Sequence, residues 1–414
     1  MTPTRRSLLA LSAAAVLALP GTALASDPIR IGLLATFEGA FTALGEDGRR
    51  GALAALADAG GRAAGRDIEL FVESSNGSPD SAILAARKLV EQDRVQILVG
   101  PLSGSEGLAV RDFARDHPAV AFINGSSGAQ DTTLRNPADN FYRFNSEGVQ
   151  WMAGLGSYAF NERGYKTVAV VGEDYSFPYA QVFGFMHEFC AAGGRVPHKS
   201  WVPIGTNDFS SVIAALPEDV DAIYVSLGGA DAVNFLTQYR DAGGFAPLIA
   251  GSTTVDQTVL STEGRVREGL VGVPSASPVA GSNTSAEWLA FVESYSKQPG
   301  ALAAPSLFAY AYYIGMQAAL LAIEETGGDF GEGSAALHAA LSGLEFVSPT
   351  GPIRLDHNRQ AIAPIFLTEV AEDGQGGLTN RIIRVTEGVN QTLGMDEAQF
   401  LALGSPSRDN PACP

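Results

Sequence analysis

Short apolar runs that stop abruptly at small residues dictate what this chain can become. The segment 95–107 reads VQILVGPLSGSEG, and 121–128 reads AFINGSSG. The first run leads into a helical pattern, LAVRDFARDH. This predicts a buried parallel strand, a tight turn, and a helix beginning around Ser103 to Glu106. In an open α/β sheet, ligands bind at the carboxyl ends of the strands, where helix N-termini present unpaired N–H groups. Ser103, Ser105, Ser126 and Ser127 bring hydroxyls to that level. One such turn is an ordinary strand–loop–helix connection with a serine cap. Two of them, both small and hydroxyl-rich, point to an anion-binding crevice.

The same alternation runs through most of the chain. From Ile29 a strand (IRIGLLA), a loop and a helix (about 45–59) lead to a second strand (DIELFVES), then to a helix opened by Ser78-Pro79-Asp80. With the two runs above, these make a doubly wound parallel sheet. The pattern restarts with a helix at about 147–161, the strand KTVAVVG, the turn EDYSFP and a helix to Ala192. The strands RVPHKSWVP, DAIYVSL and PLIAG, with a helix at 230–241, complete a second α/β lobe. Its strand-end loops fall at 172–177, 228–231 and 252–256. Helices at about 285–298, 305–326 and 334–342 need a sheet to cover, and the first lobe, with fewer helices of its own, is the expected recipient. SPTGPIRLDHN and AIAPIFLTEV read as a hairpin, and the tail after about Thr392 as irregular. A chain of 414 residues accommodates two such lobes.

The N-terminus reads as an export leader. Arg5-Arg6 precede an apolar run from Leu8 to Leu19, then Pro20-Gly21 and Ala23-Leu24-Ala25, which predicts cleavage after Ala25 (leader 1–25). The twin arginines fit either export route. The apolar run at 305–323 contains three tyrosines and Gln317, and suits a helix buried in a large domain better than a membrane span. The formal charge is −18 (27 basic, 45 acidic), and losing Arg5 and Arg6 would make it −20. Such a chain repels nucleic acid and anionic membranes. The two cysteines, Cys190 and Cys413, form an even pair, in an exported protein more often bridged than free. A Cys190–Cys413 bridge would pin the tail on the second lobe and close a loop of about 220 residues, worth roughly 4–5 kcal/mol at most.

Catalytic machinery is not visible. The five histidines show no metal-ligand spacing, and neither a G-x-S-x-G elbow nor a P-loop occurs, so no metal or cofactor is expected. Gly154-Leu155-Gly156 falls inside a predicted helix and reads as close helix packing. Glu173-Asp174 is expected to cap the helix near Ser176. An enzyme is therefore the weaker hypothesis. The strand-end loops do carry aromatic rings: Phe37 and Phe41 in the first lobe, Tyr175, Phe177 and Tyr179 in the second. Phe41 and Tyr179 are expected to pack into their own lobes. The others would be an exposed apolar liability unless a flat ligand lay between them.

The order of elements, the leader, ILVGPLSGSEG, the Arg143-x6-Gln150 stretch and AVVGEDYSFPYAQ together resemble the periplasmic type I solute-binding proteins that serve ABC importers of the branched-chain amino acid type. The resemblance covers nearly all of 29–370. It implies two lobes, 26–145 with 276–347 and 146–275 with 348–392, a tail at 393–414, and hinges near Asn145, Ser275 and Ser348. It implies a monomer without cofactor that closes on a small ligand and delivers it to an inner-membrane permease. Leu44, the Asn124-Gly125-Ser126-Ser127-Gly128 run and Thr253 depart from the amino-acid-binding members. INGSSGAQDTT, EDYSFPYAQVFGFMHEFC and GGADAVNFLTQY look more like the branch that binds benzoate-type aromatic carboxylates. By that resemblance Ser103, Ser105, Ser126 and Ser127 hold the carboxylate. Phe37, Tyr175 and Phe177 sandwich the ring, and Gly229, Thr253 and Thr254 close from the second lobe. An aliphatic amino acid or amide is the alternative ligand, and a soluble receptor module the alternative role.

Overall fold

A computed structural model describes residues 27–413; the expected leader and its cleavage site after Ala25 lie outside them. The first sheet is built from β1 (Ile29–Thr36), then, after α1 (Thr42–Asp58), β2 (Arg62–Ala63) and β3 (Arg66–Ser75). Next come α2 (Pro79–Arg87), β4 (Ile97–Val99), α3 (Gly104–Ala114), β5 (Ala121–Ile123) and β6 (Phe141–Tyr142). The spatial order is β2-β3-β1-β4-β5-β6. Every pairing is parallel except the β2–β3 turn-back. The order switches direction at β1, which sits between β3 and β4, so the β1 and β4 loops open onto one crevice.

Two short helices, α4 (Gly148–Trp151) and α5 (Leu155–Asn161), lead into the second lobe. The sequence pattern predicts a single helix here. Gly154 breaks it with φ +86°, while a Cβ on Gly156 would meet the carbonyl of Phe185 at 2.2 Å, so close helix packing accounts for that glycine. Then follow β7 (Thr167–Glu173), α6 (Ser176–Ala191), β8 (Arg195–Val202), α7 (Ser210–Ala214), β9 (Ala222–Ser226), α8 (Gly229–Asp241), β10 (Leu248–Ala250), α9 (Gln257–Leu260) and β11 (Pro274–Ser277). Strands β8, β7, β9, β10 and β11 lie side by side in that order.

The chain next adds α10 (Ala286–Ser296), α11 (Leu307–Glu325) and α12 (Ala335–Gly343). As expected, these cover the first lobe. A Cβ on Gly51 of α1 would lie 1.9 Å from the carbonyl oxygen of Ala309, so α1 and α11 touch backbone to backbone. The uncharged stretch that approaches membrane-span length is this α11, and nearly all of it is buried in the protein. The chain returns through β12 (Phe346–Ser348), β13 (Gly351–Leu355), β14 (Ala361–Glu372) and β15 (Leu378–Val389). β13 and β14 form the expected hairpin, and β14 runs antiparallel to β11. β15 has no counterpart in the sequence pattern. It pairs along β14, but its LTNRIIRVTEGV side chains are mostly exposed, so it carries no apolar alternation to betray it. The tail holds one short helix, α13 (Glu397–Leu401), and ends at a Cys190–Cys413 disulfide.

Where the chain passes between the lobes, buried amides replace apolar packing. Arg143, wholly buried, donates to the side chains of Gln360 and Thr133 and to the carbonyl of Ala129. Gln360 in turn donates to the Gln150 side chain and the Asn145 carbonyl (both 2.9 Å), and Asn124 donates to Asn145 (3.0 Å). A buried guanidinium with no acid within bonding distance persists because every N–H direction meets an oxygen. Glu147, four residues on, caps α4 through the N–H groups of Val149 and Gln150, and burial pushes its carboxyl up to about 7.

Candidate ligand-binding cleft

Two helix N-termini meet across the interlobe cleft. α3 starts at Gly104 on the first lobe and α6 at Ser176 on the second. The hydroxyls of Ser105 and Ser176 are 3.2 Å apart, and a Cβ on Gly104 would lie 2.9 Å from the backbone N of Phe177. First-turn N–H groups have no intrahelical acceptor. α6 has no side-chain cap either, since Tyr175 occupies its N-cap without a hydrogen bond. Two positive dipole ends pointing at each other repel unless negative charge sits beside them.

Below this contact the lobes leave only a small cavity of about 10 Å³, so the cleft is nearly shut on itself. The first lobe lines it with Phe41, Leu44, Leu102, Gly104, Ser126 and Phe308, and the second with Tyr175, Phe177, Gly228 and Thr253, while Trp151 closes it from the interlobe side. No Lys or Arg lines it. Phe177 stands edge-on to Trp151 (5.3 Å between centroids) and rests on a floor of glycines. A Cβ on Gly128 would come within 2.6 Å of its ring, and one on Gly104 within 2.9 Å of its Cβ. Only side-chain-free backbone lets the second-lobe ring settle so deeply on the first lobe.

The expected site residues separate into those at the cavity and those behind it. Ser126, Tyr175, Phe177 and Thr253 line it, the Ser126 and Thr253 hydroxyls donating to the carbonyls of Leu102 (3.3 Å) and Leu227 (2.9 Å), and Ser105 stands at the helix-to-helix contact above. Ser103 is the N-cap of α3: its hydroxyl accepts from Glu106 N and donates to the Gly77 carbonyl, so it is already engaged. Ser127 is fully buried and turned onto α3, its Oγ where a Cβ on Gly107 would fall. Thr254 is spent on the carbonyls of Val225 and Leu227. Gly229 (φ +51°) abuts the Ala40 carbonyl across the cleft, beside the cavity. Phe37 lies outside the lining, half-buried under the Arg49 guanidinium. The 3-10 turn at Gly39–Phe41 turns Phe41 inward instead, correcting the expectation that Phe41 serves only its own lobe. Tyr179 does pack within its lobe, edge-on to Trp201. Glu173 and Asp174 do not cap α6. Glu173 accepts the Gly228 N–H (3.1 Å), and Asp174 binds Arg408 and Tyr179.

Three carboxyls stand behind the walls. Glu106 accepts the N–H groups of Ser103 and Gly77, Glu173 that of Gly228, and Asp231 that of Gly205. Burial raises all three carboxyls above the ordinary range, Asp231 to about 6, and the adjacent Asp231 raises Glu173 further. Burial, then the nearby Glu173 carboxyl, also keeps the Tyr175 phenol protonated. The cleft wall therefore offers hydrogen-bond donors without a formal positive charge.

Two lobes with switch-point loops, closed over a small apolar cavity rimmed with N–H and hydroxyl donors, define a solute-binding protein. The chain belongs to the periplasmic binding protein family, whose model matches residues 28–375. It is 27% identical over 388 residues to the Leu/Ile/Val-binding protein homolog 6 of Brucella melitensis, covering 92% of this chain and 97% of that one. Among solved structures, an ABC transporter substrate-binding protein from Sphaerobacter thermophilus is 30% identical, with TM-score 0.78 over 88% of this chain and 99% of that one. A solute-binding protein of an ABC transporter from Rhodopseudomonas palustris, in complex with 3,4-dihydroxybenzoic acid, shares the fold at 24% identity, with TM-score 0.80 over 88% and 99% of the two chains. The protein is a substrate-binding component of an ABC transporter and not an enzyme.

Proposed function

We propose that the cleft captures a small organic acid, with an aromatic carboxylate as the lead. The observation that carries this reading is the pair of opposed helix N-termini, α3 and α6, above an aromatic-walled cavity. A carboxylate there receives N–H bonds from both helices together with the Ser105 hydroxyl, joined by Ser126 once its hydroxyl turns from the Leu102 carbonyl, and such charge-assisted bonds are strong. Phe41, Trp151, Tyr175 and Phe177 supply flat walls for a ring, and Gly228 and Thr253 close it from the second lobe. Ser103 and Thr254 hold these loops from behind. At about 1 kcal/mol per heavy atom, a benzoate-sized ligand binds in the micromolar to sub-micromolar range.

One observation favours a second reading, an aliphatic amino acid: Glu173 and Asp231 are buried acids close to the cavity. Both lie behind the Gly228 backbone and the Tyr175 ring, and Thr253 offers an ammonium only a neutral hydroxyl. In the lead reading the lobes hinge near Asn145, Ser275 and Ser348. The mature monomer begins at Ser26, after export, and passes its ligand to an inner-membrane permease. Calorimetry decides between the ligands. Benzoate or 4-hydroxybenzoate binds more tightly than leucine or valine, and tight leucine binding with every aromatic acid silent overturns the assignment.

A further inference from the structure

The C-terminal segment, residues 390–413, touches both lobes. On the first lobe, Gln130 and Gln391 exchange amide-to-carbonyl hydrogen bonds, and Arg135 Nη2 donates to the Gly404 carbonyl (2.7 Å). On the second, Arg408 Nε donates to Asp174 (2.6 Å), Lys199 Nζ donates to the Pro411 carbonyl (3.3 Å), and Cys413 is bonded to Cys190 of α6. Between these two sets of contacts Phe400, fully buried, packs with Leu134 of the first lobe and with Ala180 and Phe183 of α6. Asp174 and Tyr179, the two side chains Arg408 reaches, bracket Tyr175 and Phe177 in the chain.

We propose that this segment is an interlobe strap that favours the closed cleft, and that Arg408 is a positioning residue for the Tyr175–Phe177 wall. The proposal rests on the cleft being the ligand site. A chain terminus held only by surface contacts frays. The disulfide removes that freedom by keeping the strap at high effective concentration against α6. When the lobes separate, a strap fixed covalently to α6 must give way at its first-lobe contacts, which are the Arg135 and Gln130 hydrogen bonds and the face of Phe400 on Leu134. Opening therefore costs buried apolar contact as well as hydrogen bonds, and a bound ligand leaves more slowly.

The test compares the wild type with Cys413→Ser, Arg135→Ala and Arg408→Ala. Spin labels carried on unnatural amino acids at exposed Leu84 (first lobe) and Phe245 (second lobe) report the interlobe distance, and stopped-flow with 4-hydroxybenzoate reports dissociation. Cys413→Ser and Arg135→Ala are expected to shift the ligand-free distances outward. They should raise the dissociation rate about threefold or more while association changes less than about twofold. Arg408→Ala should raise dissociation as well, with Arg408→Lys restoring part of the loss. Arg135→Ala leaves the disulfide intact, so the strap is still tested if Cys413→Ser does not fold. If 4-hydroxybenzoate is not bound at all, the ligand reading fails and the ligand-free distances alone decide the strap. Unchanged distances in the folded variants overturn it.

Discussion

Asp256 on the second lobe accepts the backbone N–H of Leu307, the first residue of α11 on the first lobe, at 2.9 Å. Its other carboxylate oxygen caps α9 through the N–H and hydroxyl of Thr258. One side chain thus serves two helix N-termini, one on each lobe. Asp256→Ala should lower stability by about 1–2 kcal/mol in urea denaturation and weaken ligand binding several-fold in calorimetry. Asp256→Asn keeps the acceptor and should lose less than half of that. Equal losses for both variants would show that charge, not the shared cap, is what matters.

Buried acids predict an unusual pH profile. Burial raises Asp231 and Asp256 from 3.8 to about 6, and Glu147 from 4.5 to about 7. Over these windows the folded protein holds protons that the unfolded chain has released. Stability from these groups is complete below the unfolded values and is lost as the pH rises through about 6 to 7. Urea midpoints should therefore fall between pH 4.5 and 7.5, and Asp256→Asn or Glu147→Gln should flatten the slope. A midpoint that rises steadily over that range contradicts the assignment.

Phe177 and its glycine floor are separable by mutation. Phe177→Ala should weaken an aromatic ligand by about 1 kcal/mol or more. Gly128→Ala places a methyl within 2.6 Å of the ring, so closure must tilt Phe177 or stop short. Affinity is expected to fall by about 1–3 kcal/mol with little change in the melting of the ligand-free protein. Wild-type affinity in Gly128→Ala would mean that the ring does not seat on this floor when ligand is bound.

Arg143 holds the junction. Arg143→Met should cost about 3 kcal/mol in denaturant unfolding, because Gln360, Thr133 and the Ala129 carbonyl lose their donor together. Because Gln360 also bonds the Asn145 carbonyl, ligand closure should become less cooperative in the same variant. A loss below about 0.5 kcal/mol would mean that water replaces the guanidinium freely.

The lobes were legible because parallel strands buried on both faces write themselves as continuous apolar runs, and IRIGLLA, VQILVG and DAIYVSL all do so. β15 was not, since its residues alternate no hydrophobic signal. Within the cleft the hydroxyl-rich loops were readable but individual hydroxyls were not. Ser103-x-x-Glu106 is a capping-box spacing, and that signal says the Ser103 hydroxyl is engaged locally. Trp151 and Phe308 line the cavity from inside helical patterns, where an aromatic ring looks the same whether it faces core or cleft. Phe41 and Phe37, four positions apart, could be told apart only by the 3-10 turn between them.

The backbone contact between Gly51 and Ala309 has a consequence for biosynthesis. α1 emerges early, with its glycine face shaped for α11, yet more than half of the chain must follow before α11 appears. Domains generally fold as units as the polypeptide is made. Here the whole of the second sheet's parallel core is synthesised before the helix that covers α1. The first lobe is thus begun first and completed last, and while it waits its apolar surface is open to whatever binds nascent chains.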